Sequence, residues 1–341
     1  MHVCASKHVK PPVCPLSSPE IHRSLHTTPK KFSKLPERKI WNIEGELTDT
    51  LWWHGDSNKE DIDNNHHEKI VFFMICGNPG LIDYYIPFLT TIYDEFRRGD
   101  IVIVGVSHLG HSHTLLNSNI DPKFYTLQDQ IEHKIKCFDK LREMFSTRKF
   151  ILCGHSIGAY ICSEVLRARS SHGIEKVYAL FPTIQKISQT PNGRMLQFLF
   201  YERSRNLAGP FVQLFRSLFT PENFKYLIGF ITWQSEPALS VTADKLLYGN
   251  IVKNALYMAE TEMQEVQELD EQFYREHLPK YVFYFGKSDM WVPLDHYRDL
   301  LKRFPEGNVF LCEDGMPHAF VIGHSEKMGS KVAKWIKTLS I

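Results

Sequence analysis

Apolar residues fall along the chain in two patterns. In the first they form short runs without polar interruption, at 71–75, 101–106, 150–153, 177–181, 281–285 and 309–312. Such runs suit strands covered on both faces, as in a parallel sheet. In the second they recur at helical spacing. Across 126–145, Leu127, Ile131, Ile135, Phe138, Leu141 and Phe145 share one side of a helix, while Asp129, Lys136, Lys140 and Glu143 lie elsewhere. That is the amphipathic stripe of a helix resting on a core. Residues 159–168, 300–304 and 331–339 read the same way. Strands alternating with helices predict an α/β fold: a mostly parallel central sheet with helices on both faces, joined by right-handed crossovers.

The alternation stops between 183 and 277. Segments 195–201, 207–219 and 224–233 are aromatic-rich and helical in character, punctuated by Pro210, Pro221 and Pro237. This predicts a helical cap over 183–277, inserted into a core built from 40–182 and 278–341. Its apolar positions have two readings. They form the core of a small helical subdomain, or part of them stays exposed and meets lipid, since large exposed apolar patches mark interaction sites. Arg194, Arg203, Arg205, Arg216 and Lys225 interleave with them, as in an interfacial amphipathic element.

Charge adds little to this picture except at one end. The 341 residues carry 40 Lys+Arg against 39 Asp+Glu, and so near-neutral a balance argues against a nucleic-acid partner. No apolar run reaches the roughly 20 residues of a membrane-spanning helix. Residues 1–39 differ: Lys7, Lys10, Arg23, Lys30, Lys31, Lys34, Arg38 and Lys39 face only Glu20 and Glu37, with Pro and Ser throughout. A disordered basic extension is the first reading of this segment, and a mitochondrial transit peptide the second. The 7 cysteines are scattered without a C-x-x-C, which predicts free thiols in a reducing compartment rather than a zinc site.

The run at 150–153 leads directly into Gly154-His155-Ser156-Ile157-Gly158, with a helix-compatible stretch after it. G-x-S-x-G between a strand and a helix is the pattern of a nucleophile elbow, a sharp turn that lifts the serine to the carboxyl edge of the sheet. A serine needs a base, and the base an orienting acid, in the chain order Ser…Asp…His. After the run at 281–285 comes Asp289, with Asp295 and Asp299 as rivals; after 309–312 comes His318, with His324 as its decoy among 17 histidines. The predicted set is therefore Ser156 as nucleophile, His318 as general base and Asp289 as its partner.

An oxyanion needs two N–H donors. One is Ile157, at the start of the helix after Ser156. The other comes from Gly77-Asn78-Pro79-Gly80. Pro79 has no N–H, so Asn78 or Gly80/Leu81 donates, and Asn78 is preferred. The loop Ser107-His108-Leu109-Gly110-His111-Ser112-His113 has three histidines but no accompanying carboxylates. It is read as lining the substrate entrance rather than as a zinc site. No metal or organic cofactor is predicted.

Several blocks together resemble the lipid droplet-associated hydrolase family: Ile75-Cys76-Gly77-Asn78-Pro79-Gly80, Ser107-His108-Leu109-Gly110-His111, Gln130-Ile131-Glu132-His133-Lys134, Gly154-His155-Ser156-Ile157-Gly158, Phe181-Pro182-Thr183-Ile184, Ser188-x-x-Pro191-Asn192-Gly193 and Pro317-His318-Ala319-Phe320. The likeness runs from about Trp41 to the C-terminus, with Cys76 standing where the family usually has Pro. It implies an α/β-hydrolase fold, a triad on Ser156, Asp289 and His318, and residence on lipid droplets and the endoplasmic reticulum. It also implies an esterase activity toward sterol esters, with a neutral lipid ester as substrate and the droplet monolayer as the surface it meets. Three functions stay open on the sequence: a serine ester hydrolase, an acyl transferase using the same residues, and a droplet-associated lipid-binding or organelle-contact protein with slight catalysis.

Overall fold

The computed structural model describes residues 35–55, 69–97, 99–115 and 123–339. Its sheet has eight strands. β1 (Glu37–Ile43) and β2 (Glu46–Trp53) form an antiparallel hairpin. β3 (Ile70–Ile75), β4 (Ile101–Val106), β5 (Lys149–His155), β6 (Ile174–Leu180), β7 (Tyr281–Phe285) and β8 (Asn308–Leu311) run parallel to one another, in the order β1-β2-β4-β3-β5-β6-β7-β8. The six parallel strands are those the apolar runs predicted, within a few residues.

Both faces of these strands are buried. Val71, Phe73 and Ile75 of β3 face a core shared with α2 (Leu127–Met144) and α3 (Ile157–Ala168); Phe72 and Met74 face a second core with α1 (Ile86–Asp94) and α11 (Ser325–Lys337). Alternate residues of one strand thus feed two cores, which is why no polar position interrupts it. Register levels the carboxyl ends: Ile75 lies opposite both Val106 and Gly154, and Gly154 opposite Ala179. The loops at Gly77, Ser107, Ser156 and Phe181 consequently emerge along one edge.

The hairpin departs from the sequence reading. β1 starts at Glu37, so the basic extension read over 1–39 ends before that residue; the rest of it, residues 1–34, lies outside the described residues. β2 escaped notice because Thr48, Asp49 and Thr50 are polar yet buried. Each finds a remote partner: Thr48 donates to Ser107 O, Thr50 to Lys39 O, and Asp49 accepts from Ser112 and pairs with Arg38.

Between β6 and β7 the chain is helical: α4 (Pro191–Phe200), α5 (Glu202–Ser217), α6 (Pro221–Thr232), α7 (Ala238–Val241), a π-turn at Thr242–Leu246, α8 (Gly249–Glu265) and α9 (Glu271–His277). The last crossover carries α10 (Leu294–Arg303). Leu207, Phe211 and Leu214 on α5 and Leu218 just after it, spaced by four, three and four residues, are all exposed, as are Met195 and Phe198 on α4, Tyr226 and Phe230 on α6, and Trp233, which is 89% exposed. The basic residues interleaved with them are not all outward. Arg205 pairs with Glu260, Arg216 donates to Ala243 O and Tyr248 Oη, and Lys225 pairs with Glu236. These three brace the insertion internally, leaving Arg194 and Arg203 as the exposed cations of that set. Among the described residues no helix is long and apolar enough to cross a membrane.

Candidate active site

β5 ends at His155, and Ser156 takes φ 55° and ψ −124° before α3 begins. A non-glycine residue held at positive φ is costly and persists only where its surroundings enforce it. The enforcement comes from close packing of backbone. A Cβ on Gly154 would lie 2.3 Å from Gly158 O, and one on Gly158 would lie 2.3 Å from Ile75 O. Both glycines of G-x-S-x-G are therefore fixed by contact between strand, turn and helix. Ser156 caps the helix end, with the Ile157 amide as the first of α3.

Three residues remote in sequence converge here. His318 Nε2 lies 2.8 Å from Ser156 Oγ, and His318 Nδ1 lies 2.6 Å from Asp289 Oδ2. Asp289 is buried, and its other oxygen accepts the N–H groups of Trp291 at 2.8 Å and Val292 at 2.9 Å. The carboxylate is thus held by its own loop and leaves one oxygen for the imidazole. The rivals are engaged elsewhere: Asp295 pairs with Arg298, Asp299 with Arg303, and His324 flanks the start of α11. A hydroxyl bonded to an imidazole that is bonded to a buried carboxylate can surrender its proton as the oxygen attacks a carbonyl.

His155, unassigned in the sequence, links the loops of this site. Its Nε2 is 2.8 Å from His318 O, which can only accept, so Nε2 carries the proton. Nδ1 is then the acceptor for the Tyr85 hydroxyl at 2.7 Å, and Tyr85 Oη accepts the Gly77 N–H at 2.9 Å. Burial supports these states: it pushes His155 down to about 3, with His318 adding to the effect, and holds the Tyr85 phenol protonated. One directed chain runs from the Gly77 loop through Tyr85 and the elbow to the His318 loop. Tyr85→Phe strands two buried groups at once, and at about 1–3 kcal/mol for each we expect it to lower the unfolding free energy by about 2–6 kcal/mol, read from the urea midpoint. An unchanged midpoint would mean that this chain contributes nothing to stability.

The Gly77–Gly80 turn sits against the elbow: a Cβ on Gly77 would lie 2.9 Å from Ser156 Cβ. The Gly80 N–H is spent on Gly77 O at 2.7 Å, which removes Gly80 from the candidate oxyanion donors. The Asn78 side chain donates to Ala255 O at 2.9 Å and Glu262 Oε1 at 3.0 Å. Asn78, Ser156 and His318 line a cavity of about 270 Å³ whose other walls are mostly apolar, among them Ile187, Leu196, Phe200 and Met263.

The three-histidine loop does not line this cavity, contrary to the sequence reading. His108 and His111 are buried behind the Gly77–Gly80 turn instead. His111 Nδ1 meets Pro79 O at 2.7 Å, the His108 N–H donates to Gly80 O at 2.9 Å, and Ser107 Oγ accepts the Ile82 N–H at 3.1 Å. The loop braces the turn from behind. Among the described residues no group of three or more His, Cys, Asp or Glu is placed to hold a metal ion.

The profile described as "Lipid-droplet associated hydrolase" matches residues 68–321, most of the chain. The chain belongs to the lipid droplet-associated hydrolase family. It is 32% identical over 303 residues to the lipid droplet-associated hydrolase of Mus musculus, covering 83% of this chain and 89% of that one. It is 33% identical over 286 residues to that of Rattus norvegicus, covering 79% and 85%. Among solved structures it is similar to E-2-(acetamidomethylene)succinate hydrolase, with a TM-score of 0.58, 16% identity and coverage of 89% and 100%. Likeness at that level establishes the α/β-hydrolase fold, and fold and family together make the chain a hydrolase.

Two of the sequence blocks shared with the lipid droplet-associated hydrolase family acquire a physical role. Gln130 clamps Leu109 from both sides, accepting its N–H at 2.8 Å and donating to its carbonyl at 3.0 Å. Lys134, buried, donates to Ser107 O at 3.0 Å, and burial holds its amine down to about 8. The Gln-Ile-Glu-His-Lys block thereby fixes the bracing loop. In the Pro-Asn-Gly block, Thr190 caps α4 and the Asn192 N–H donates to Met290 O at 3.0 Å, tying the insertion to the loop that carries Asp289.

Proposed function

We propose that the protein is a serine carboxylic ester hydrolase that works on neutral lipid esters at the surface of lipid droplets. The single observation that carries this is the His318 imidazole, which reaches Ser156 Oγ at 2.8 Å and Asp289 at 2.6 Å beside a largely apolar cavity. Ser156 Oγ attacks the ester carbonyl as His318 Nε2 takes its proton, and the Nδ1–H bond to Asp289 stabilises the imidazolium. The backbone N–H groups of Asn78 and Ile157 hold the oxyanion. Collapse expels the alcohol, which receives the proton from His318, and leaves the acyl group on Ser156. Water, deprotonated by the same nitrogen, then releases the acid.

The exposed apolar faces of α4, α5 and α6 supply the side that meets the droplet, and the family name of the relatives supports that partner. Sterol esters are the narrower substrate class the family resemblance suggests. A fluorophosphonate probe tests the core of the reading. The expected result is a covalent adduct on Ser156, located by peptide mass spectrometry and absent from Ser156→Ala. A folded protein that takes up no probe would turn the reading toward a lipid-binding protein of the droplet surface.

A further inference from the structure

The cavity beside Ser156 contains one ionisable side chain that this chemistry leaves unused. Glu262, on α8, lines the cavity and is only 7% exposed. Its Oε1 accepts a bond from Asn78 Nδ2, whose second proton goes to Ala255 O. Its Oε2 takes no hydrogen bond from the described residues. The cavity it lines is largely apolar, with Ile187, Leu199, Phe200, Ala259 and Met263 among its walls. That oxygen is not sealed from solvent like the fully buried unpartnered polar atoms elsewhere in the protein, so it opens onto the cavity, where an atom of a bound ligand can reach it. Burial pushes the carboxyl up to about 8, against the pull of the Asn78 bond and with Glu265 adding to the rise. Burial therefore favours the protonated form, with one oxygen committed to Asn78 and Oε2 left to carry the O–H.

A protonated carboxyl both donates and accepts, and a free hydroxyl is the uncharged group of a lipid ester that can answer both, since the ester carbonyl only accepts. A charged headgroup suits it less, because an anion would be desolvated there without a cation. We propose that Glu262 is a specificity residue that pairs with a free hydroxyl on the substrate, so that the site favours carboxylic esters carrying one. The hydroxyl belongs either to the alcohol part, as in a partial acylglycerol, or to the acyl chain, as in a hydroxy-fatty ester. Esters without any free hydroxyl, sterol esters of plain fatty acids among them, would leave Glu262 unpaired. This assignment rests on the hydrolase reading above.

The experiment compares kcat/KM of the full chain on three matched esters in mixed micelles: a monoacylglycerol, the propyl ester of the same fatty acid, and the propyl ester of its hydroxylated analogue. The expected result is a preference of about 10- to 100-fold for one hydroxylated ester over the plain one, and the favoured member says which part bears the hydroxyl. Glu262→Met collapses that ratio toward unity, whereas Glu262→Gln, which keeps an acceptor and a donor, retains most of it. A wild type without preference overturns the proposal, even if Glu262→Met fails to fold. So does a Glu262→Met variant that loses rate on all three esters equally, since Glu262 would then only anchor Asn78. Absence of both turnover and fluorophosphonate labelling of Ser156 would instead defeat the hydrolase reading itself, and this assignment with it.

Discussion

Ser156→Ala is expected to reduce ester turnover by on the order of 10⁴-fold or more, the cost typical of losing one member of a triad. The loss should appear in kcat, because the hydroxyl contributes to bond making and not to the apolar walls that hold the substrate. Folding should survive. The hydroxyl's hydrogen bond is to His318, which keeps Asp289 as a partner, while the positive φ at Ser156 is enforced by the packing of Gly154 and Gly158 and not by the side chain. Steady-state rates on an emulsified neutral lipid ester, with thermal melting in parallel, separate the two effects. Equal rates for wild type and variant would mean that the chemistry lies elsewhere or that the background is another enzyme.

The second large effect concerns the surface. Leu207, Phe211 and Leu214 are more than half exposed on one side of α5, so replacing all three with Ser removes little from the folded core. Against lipid each contributes about 1.5–3 kcal/mol if fully buried. With half of each side chain inserted, the three together supply roughly 2–4.5 kcal/mol, a weakening of partition on the order of 10²–10³-fold. Flotation with triolein droplets coated by a phospholipid monolayer reads this directly. Partition equal to wild type would show that the anchor is another part of the molecule. Hydrolysis of a short, water-soluble ester by the same variant tells a surface defect from a damaged site.

The sequence was most informative where a structural demand acts on neighbouring residues. The parallel strands were visible because both faces need apolar side chains, and the elbow was visible because its two glycines are forced within five residues by backbone contact. Long-range compensation was not visible. Thr48, Asp49 and Thr50 break the apolar run of β2, and their partners lie up to 63 residues away. Helix α1 is only nine residues long and buried from Pro87 to Tyr93 because it is wedged between sheet and α11, so no solvent-facing side sets it off. The three-histidine loop suggested the cavity mouth because it ends a strand at the right edge; only the side-chain directions reveal it as a brace. His155 sits at a variable position of its motif. Glu262 did leave a trace: Ile251, Met258 and Ala259 mark the buried side of α8, and Glu262 falls on it, where spacing calls for an apolar residue.

Helix α4 has a consequence for how substrate travels. Met195 and Phe198 point out from it, while Leu196 and Phe200 form part of the cavity wall. A helix with its side chains is about 10–12 Å across. If the outer side rests in lipid, the distance from the oil phase to Ser156 is of the order of one helix width. An acyl chain crossing it need never be dissolved as a separate molecule, which spares about 0.8 kcal/mol for every methylene kept out of water. Extraction rather than diffusion then governs delivery, and chain length, which would otherwise penalise entry steeply, ceases to matter until the cavity is full.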